Sequence, residues 1–164
     1  MKRALLIAAV AVVTSTCGQT HTSPAAQTQT GPATPATSPS SQQVTTMKIR
    51  ITIDGTPITA TLEDNATARD FASLLPLTLT LKDYASTEKI SDLPRRLSTE
   101  GAPAGADLDV GDIAYYAPWG NLAIYYEDFG YSDGLIKLAT IDAGVQALRR
   151  DGAFQVVIDR EGTR

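Results

Sequence analysis

Cysteine and histidine are nearly absent from this chain of 164 residues, which holds one of each. Cys17 and His21 both precede residue 47, so the longer C-terminal part contains neither. A lone cysteine excludes a disulfide within the chain. Without His or Cys, no Ser-His-Asp or Cys-His nucleophilic system can be assembled after residue 47. The usual ligand sets for zinc, copper and haem are missing as well. No metal, no cofactor and no catalytic residue is therefore expected. Carboxylates, an oxygen-ligated cation or hydrogen bonding are the chemistry that is left.

Positive charge is also in short supply. All 18 acidic residues lie beyond Thr46, and setting Lys2 and Arg3 aside from the 14 basic residues leaves 12, a net charge of about −6 for that part. Such a balance excludes binding to nucleic acid by phosphate neutralisation and charge-driven adhesion to anionic lipid. Phosphate-loop and calcium-loop patterns are wanting too. Gly101-Ala102-Pro103-Ala104-Gly105 has no Lys-Ser/Thr continuation, and Asp107, Asp109 and Asp112 lack the Gly and terminal Glu of a calcium loop.

The longest apolar run, residues 4–13, is too short for the roughly 20 residues of a spanning helix. Preceded by Lys2 and Arg3, it reads as a signal peptide. Thr14-Ser15-Thr16-Cys17-Gly18 resembles a lipobox, with Thr14 where Leu is usual and Thr16 where Gly or Ala is usual. Residues 1–17 are thus expected to be a signal peptide with Cys17 as the lipidated residue, ordinary secretory cleavage being the alternative. Residues 18–46 are mostly Thr, Ser, Pro, Ala and Gln without Asp, Glu, Lys or Arg, a composition that cannot bury enough surface to offset its ordering entropy. They are expected to form a disordered tether for a domain over residues 47–164. The domain would lie on the extracytoplasmic side, membrane-bound through the lipid or secreted.

Within that domain Ile49, Ile51 and Ile53 alternate with polar residues, and Ile58, Ala60 and Leu62 repeat the pattern after Asp54-Gly55, a hairpin signal. Pro57 offers no ladder donor and predicts an edge strand or a strand start. Asp64 or Asn65 caps a helix with Ala68, Phe71, Ala72 and Leu75 on one face, ended by Pro76. Leu77, Leu79 and Leu81 then alternate with Thr78, Thr80 and Lys82 as a strand, with a short extended piece over 88–91. Residues 95–110 read as a long surface loop. Strands are predicted over 112–116, 122–126, 135–141 and 154–158, and a short helix over 142–150. Seven or eight short strands, hairpin-linked at the start, predict a mainly β fold: a closed β-barrel of about eight strands with two short helices.

Several ordered blocks carry a family resemblance: Asp64-Asn65-Ala66-Thr67-Ala68-Arg69-Asp70-Phe71, then Leu75-Pro76-Leu77-Thr78-Leu79, then Glu88-Lys89-Ile90 with Leu93-Pro94, then the run from Gly111-Asp112-Ile113 through Tyr125-Tyr126. In this register the chain resembles small bacterial cyclophilin-like proteins of unassigned function. The resemblance implies a cyclophilin-like barrel. It does not imply prolyl isomerisation, because the Phe-His-Arg and Gln-Gly-Gly-Asp blocks of the true cyclophilins have no counterpart here.

Residues 113–138 hold the only Trp and five of the six Tyr. Adjacent strand residues face opposite ways, so one ring of Tyr115/Tyr116 and one of Tyr125/Tyr126 is free for a ligand. Tyr116, Tyr126, Trp119 and Asn121 are the candidates for an aromatic wall with a hydrogen-bonding amide; a packed barrel corner at Trp119 is the plainer alternative. Glu88 and Arg95 are expected to form the polar end of the same pocket, with surface ion pairing as the alternative. The expected occupant is a small ligand or an extended peptide. A divergent prolyl isomerase using Arg95, and a structural or protein-interaction module of the envelope, are the other two possibilities.

Overall fold

The computed structural model describes residues 46–162; Cys17, the predicted signal peptide and the predicted tether up to residue 45 lie outside them. Ten strands and one helix follow in chain order: β1 (Lys48–Ile53), β2 (Thr56–Leu62), α1 (Ala66–Ser73), β3 (Leu77–Tyr84), β4 (Glu88–Asp92), β5 (Gly105–Leu108), β6 (Asp112–Tyr116), β7 (Asn121–Tyr125), β8 (Gly130–Asp133), β9 (Leu135–Ile141) and β10 (Phe154–Arg160). Eight of them close an antiparallel barrel in the order β1-β10-β3-β4-β7-β6-β9-β2, while β5 and β8 form a separate two-stranded ribbon. The expected closed barrel is thus observed.

The alternating isoleucines and leucines fill the barrel. Ile49, Ile51, Leu81, Ile113, Leu122, Ile124 and Leu138 are almost wholly buried in one cluster with Phe71 of α1. Asp54 and Gly55 both take positive φ, 48° and 79°, as the two-residue hairpin turn requires. Pro57 lies opposite Thr52 of β1. On its other side β9 pairs only with Ala60, Thr61 and Leu62, so the missing N–H costs no ladder bond. Asn65, rather than Asp64, caps α1: its Oδ1 accepts from Ala68 N at 2.8 Å, and its Nδ2 donates to Lys137 O at 2.9 Å, tying the helix to β9.

Two local expectations are corrected. The helix predicted over 142–150 shrinks to a single 3-10 turn at Val145–Leu148. Asp142 instead latches onto the first hairpin, accepting from Lys48 Nζ at 2.7 Å, Thr59 Oγ1 at 2.9 Å and Thr61 Oγ1 at 2.7 Å. Gly144 then turns the chain at a φ of 90°, where an added Cβ would meet Ile58 Cγ2 at 2.8 Å. The long loop over 95–110 contains β5, paired from Gly105↔Asp133 to Leu108↔Gly130 with a strand more than twenty residues away. Four-residue segments with Gly at one end carry too little alternation to be read as strands.

Asn65→Ala is expected to destabilise the domain by about 1 kcal/mol through loss of the cap, and Asp64→Ala to change it by no more than about 0.5 kcal/mol. Urea denaturation of both variants checks the assignment.

Candidate functional site

Period-two alternation gives β6 and β7 two different faces. Tyr115, Leu122 and Ile124 turn into the barrel, where the Tyr115 hydroxyl accepts from Leu97 N at 3.2 Å. Ala114, Ala123 and Tyr125 turn outward into a second buried cluster with Leu108 of the β5–β8 ribbon and Leu135. Ala114 and Ala123 are direct partners across the strand pair. The methyl side chain of Ala123, flanked by large rings, leaves a depression in the outer wall.

That depression is a cavity of about 160 Å³. Ile90, Ala123 and Leu135 line it, with Glu88 of β4, Asn121 of β7 and Ser132 of β8 as polar members. Five aromatic side chains surround it: Tyr84, Tyr116, Trp119, Tyr125 and Phe129. Trp119 is 56% exposed and meets Tyr84 and Tyr116 edge-on, at centroid distances of 5.6 and 5.3 Å. Phe129 tilts over Tyr125 at 5.2 Å. Arg96 holds the connection that carries Trp119, donating to Ala117 O at 2.7 Å and Pro118 O at 3.2 Å.

Two of these are buried, Glu88 to 6% and Asn121 to 3% exposure, while Ser132 is half-buried. Glu88 Oε2 and Asn121 Oδ1 find no hydrogen-bond partner among the described residues. The Asn121 amide nitrogen is already committed, at 3.3 Å, to Leu122 O. Burial, and then the negative charge of Asp83, push the Glu88 carboxyl up to about 7. Lys89, the next residue, cannot neutralise it because it faces the other way. The Lys89 ammonium instead donates to Asp83 Oδ1 at 2.7 Å and Arg150 O at 2.6 Å, and lies over the rings of Tyr126 and Phe154. Among the described residues no group of three or more His, Cys, Asp or Glu is placed to hold a metal.

Glu88, Tyr116, Trp119 and Asn121, singled out in the sequence, are therefore brought together around one cavity. Tyr126 and Arg95 are not. Tyr126 packs with the barrel core, and its hydroxyl donates to Asp83 Oδ1. Tyr125 takes the place expected for it, because Asn121, Ala123 and Tyr125 share one face and Tyr126 falls on the other. Counting by twos from Asn121 was enough to show this. Arg95 does not meet Glu88. Its guanidinium grips Asp70 at 2.6 and 2.9 Å and Ser73 Oγ at 3.1 Å, and holds the Asp70 carboxyl well below the usual carboxylate range. Tyr84 and Phe129, missed in the sequence, reach the cavity from nearby positions: Tyr84 pairs with Glu88 across the β3–β4 hairpin, and Phe129 follows Tyr125 by four residues.

The raised Glu88 value has a sign that can be checked. A carboxyl that holds its proton more tightly folded than unfolded loses stability as pH rises from its ordinary range through about 7. Glu88→Gln is thus expected to be more stable than the unsubstituted protein at pH 8, by on the order of 2 kcal/mol, and equal to it near pH 4. Thermal unfolding across that range is the measurement.

Comparison with known proteins follows the geometry. The solution structure of the hypothetical protein AF2241 from Archaeoglobus fulgidus is similar in fold, with a TM-score of 0.52 at 16% identity, covering 74% of this chain and 99% of that one. A search of curated proteins gives no match. The sequence model of the cyclophilin-like family matches residues 51–159, from β1 to β10, and the chain belongs to that family.

Proposed function

We propose that this chain is a binding protein: an exported cyclophilin-like domain that receives a small ligand or an extended peptide in the groove beside Trp119. The observation that carries the proposal is a pair of unpartnered oxygens, on Glu88 and Asn121, buried at the bottom of a cavity rimmed by an exposed Trp. A buried polar atom without a partner costs free energy that a ligand can recover. An exposed tryptophan is not a core residue, so the barrel-corner alternative loses its support. The isomerase alternative needs a free Arg95, and that guanidinium is taken by Asp70 outside the groove. Export and membrane attachment rest on the leader, the lipobox-like Cys17 and the uncharged segment that follows.

Two measurements test this. Short Ala-Pro and Gly-Pro peptides added to the isotope-labelled protein are expected to shift amide signals around Tyr116, Trp119, Asn121 and Tyr125, without speeding cis/trans exchange and without effect in a folded Trp119→Ala variant. Accelerated exchange abolished by Arg95→Ala would reverse the assignment in favour of an isomerase. For the anchor, metabolic labelling with radioactive palmitate is expected to tag the protein and to vanish in Cys17→Ser; equal labelling of both would reject lipidation there.

A further inference from the structure

We propose that the groove selects a cationic nitrogen, an ammonium or guanidinium on an arm of side-chain length, with its charge at Glu88 and a second N–H at Asn121. The inference rests on the groove being a binding site and adds the chemistry of its occupant. Both unpartnered atoms are acceptors, Glu88 Oε2 and Asn121 Oδ1. The Asn121 nitrogen donates to Leu122 O, which leaves the amide oxygen for the ligand. When Glu88 is ionised, a molecule that satisfies the pair must therefore donate at both places. An anion would meet a buried carboxylate, and an apolar molecule would leave both oxygens unpaired.

Charge and size agree. The basic neighbour of Glu88, Lys89, is held on the opposite face by Asp83 and the Arg150 carbonyl. Tyr84, Tyr116 and Trp119 line the cavity, and aromatic rings attract a cation. The acidic surplus of the domain draws cations toward it. A volume of about 160 Å³ is that of a cavity that holds one benzene-sized group, enough for the end of a lysine or arginine side chain.

The floor also has a direction. Glu88 pairs with Tyr125 and Asp92 with Asn121, so the two acceptors stand at opposite ends of the β4–β7 pair. Four residues of strand separate those ends by about 13 Å between backbone positions. An aliphatic arm with a cation at one end and an amide or amine N–H at the other is the form that meets two acceptors placed apart in this way. A lysine or arginine within an extended peptide has that form, and so does a free linear diamine.

Glu88 must ionise to meet the cation, so binding releases a proton. Of the groups around it, Asp83 on β3 is held ionised by Lys89, and burial keeps the Tyr125 hydroxyl on β7 protonated. Tyr84 and Tyr116 contribute phenols from β3 and β6. The charge that changes near neutrality is that of Glu88.

Trp119 is the only tryptophan, which makes its fluorescence a local reporter. The protein is titrated with N-acetyl-lysine methylamide, N-acetyl-arginine methylamide, 1,4-diaminobutane and the neutral N-acetyl-norleucine methylamide, at pH 8 and pH 5.5. At pH 8 the cationic probes are expected to bind about tenfold or more tightly than norleucine, and at pH 5.5 to lose about as much. In a folded Glu88→Gln variant the preference disappears; should that variant not fold, the pH 5.5 titration of the unsubstituted protein carries the same test. Tighter binding of the blocked amino acids identifies a peptide side chain as the source, and tighter binding of the diamine a free amine. Equal binding of norleucine overturns the cation assignment and leaves the groove as a binding site. Silence from all four probes overturns the assignment too, and the peptide shift map then decides the groove separately.

Discussion

Alternation along β6 and β7 is the constraint on which the rest of this molecule depends. In a closed barrel every residue of a strand faces either the interior or the outer wall, with no edge where the rule relaxes. Most strands bury only the inner face, but β6 and β7 are covered on both. Large side chains at Ile113, Tyr115, Leu122 and Ile124 fill the inside, and small ones at Ala114 and Ala123 lie outside beneath the β5–β8 ribbon. Exchanging the two sets by a one-residue slip would empty the core and fill the groove together. Core and cavity are two consequences of a single register.

The same rule accounts for the buried charges. Glu88 and Lys89 are neighbours of opposite sign, yet the strand sends them to opposite faces. Lys89 is compensated by a carboxylate, a carbonyl oxygen and two rings. Glu88 is left against apolar and aromatic groups, with Asp83 adding repulsion rather than relief. A buried carboxyl so placed lowers the stability of the fold at neutral pH and above. It does so where the wall is open to a ligand, beside an exposed Trp held by the Arg96 clamp on its turn. Cost in stability and capacity to bind coincide in one side chain.

How far these features are legible before folding depends on the distance over which they are encoded. Pairs of isoleucines separated by one polar residue, the Asp54-Gly55 turn and the Asn65 cap are local, and each is found where the chain predicts it. Tyr125 was within reach as well, since Asn121 fixes its face by parity. The ribbon, the partners of Arg95 and the meeting of Tyr84 with Trp119 are non-local. Asp70 lies 25 positions before Arg95 and competes for it by a two-pronged hydrogen bond that no spacing rule anticipates.

From composition and alternation alone come the mainly β class, the closed barrel, the exclusion of histidine and thiol chemistry, and the concentration of rings in one hairpin. Those properties follow from which side chains are present and from the two-residue period of a strand. Folding decides which of the rings and charges share a cavity. Strand order β4-β7-β6 and the ribbon laid across it bring Glu88, Asn121 and five aromatic rings together from six separate elements and loops. The energy that sets this arrangement is packing between segments far apart in the chain, where hydrophobic burial and barrel closure outweigh any local preference.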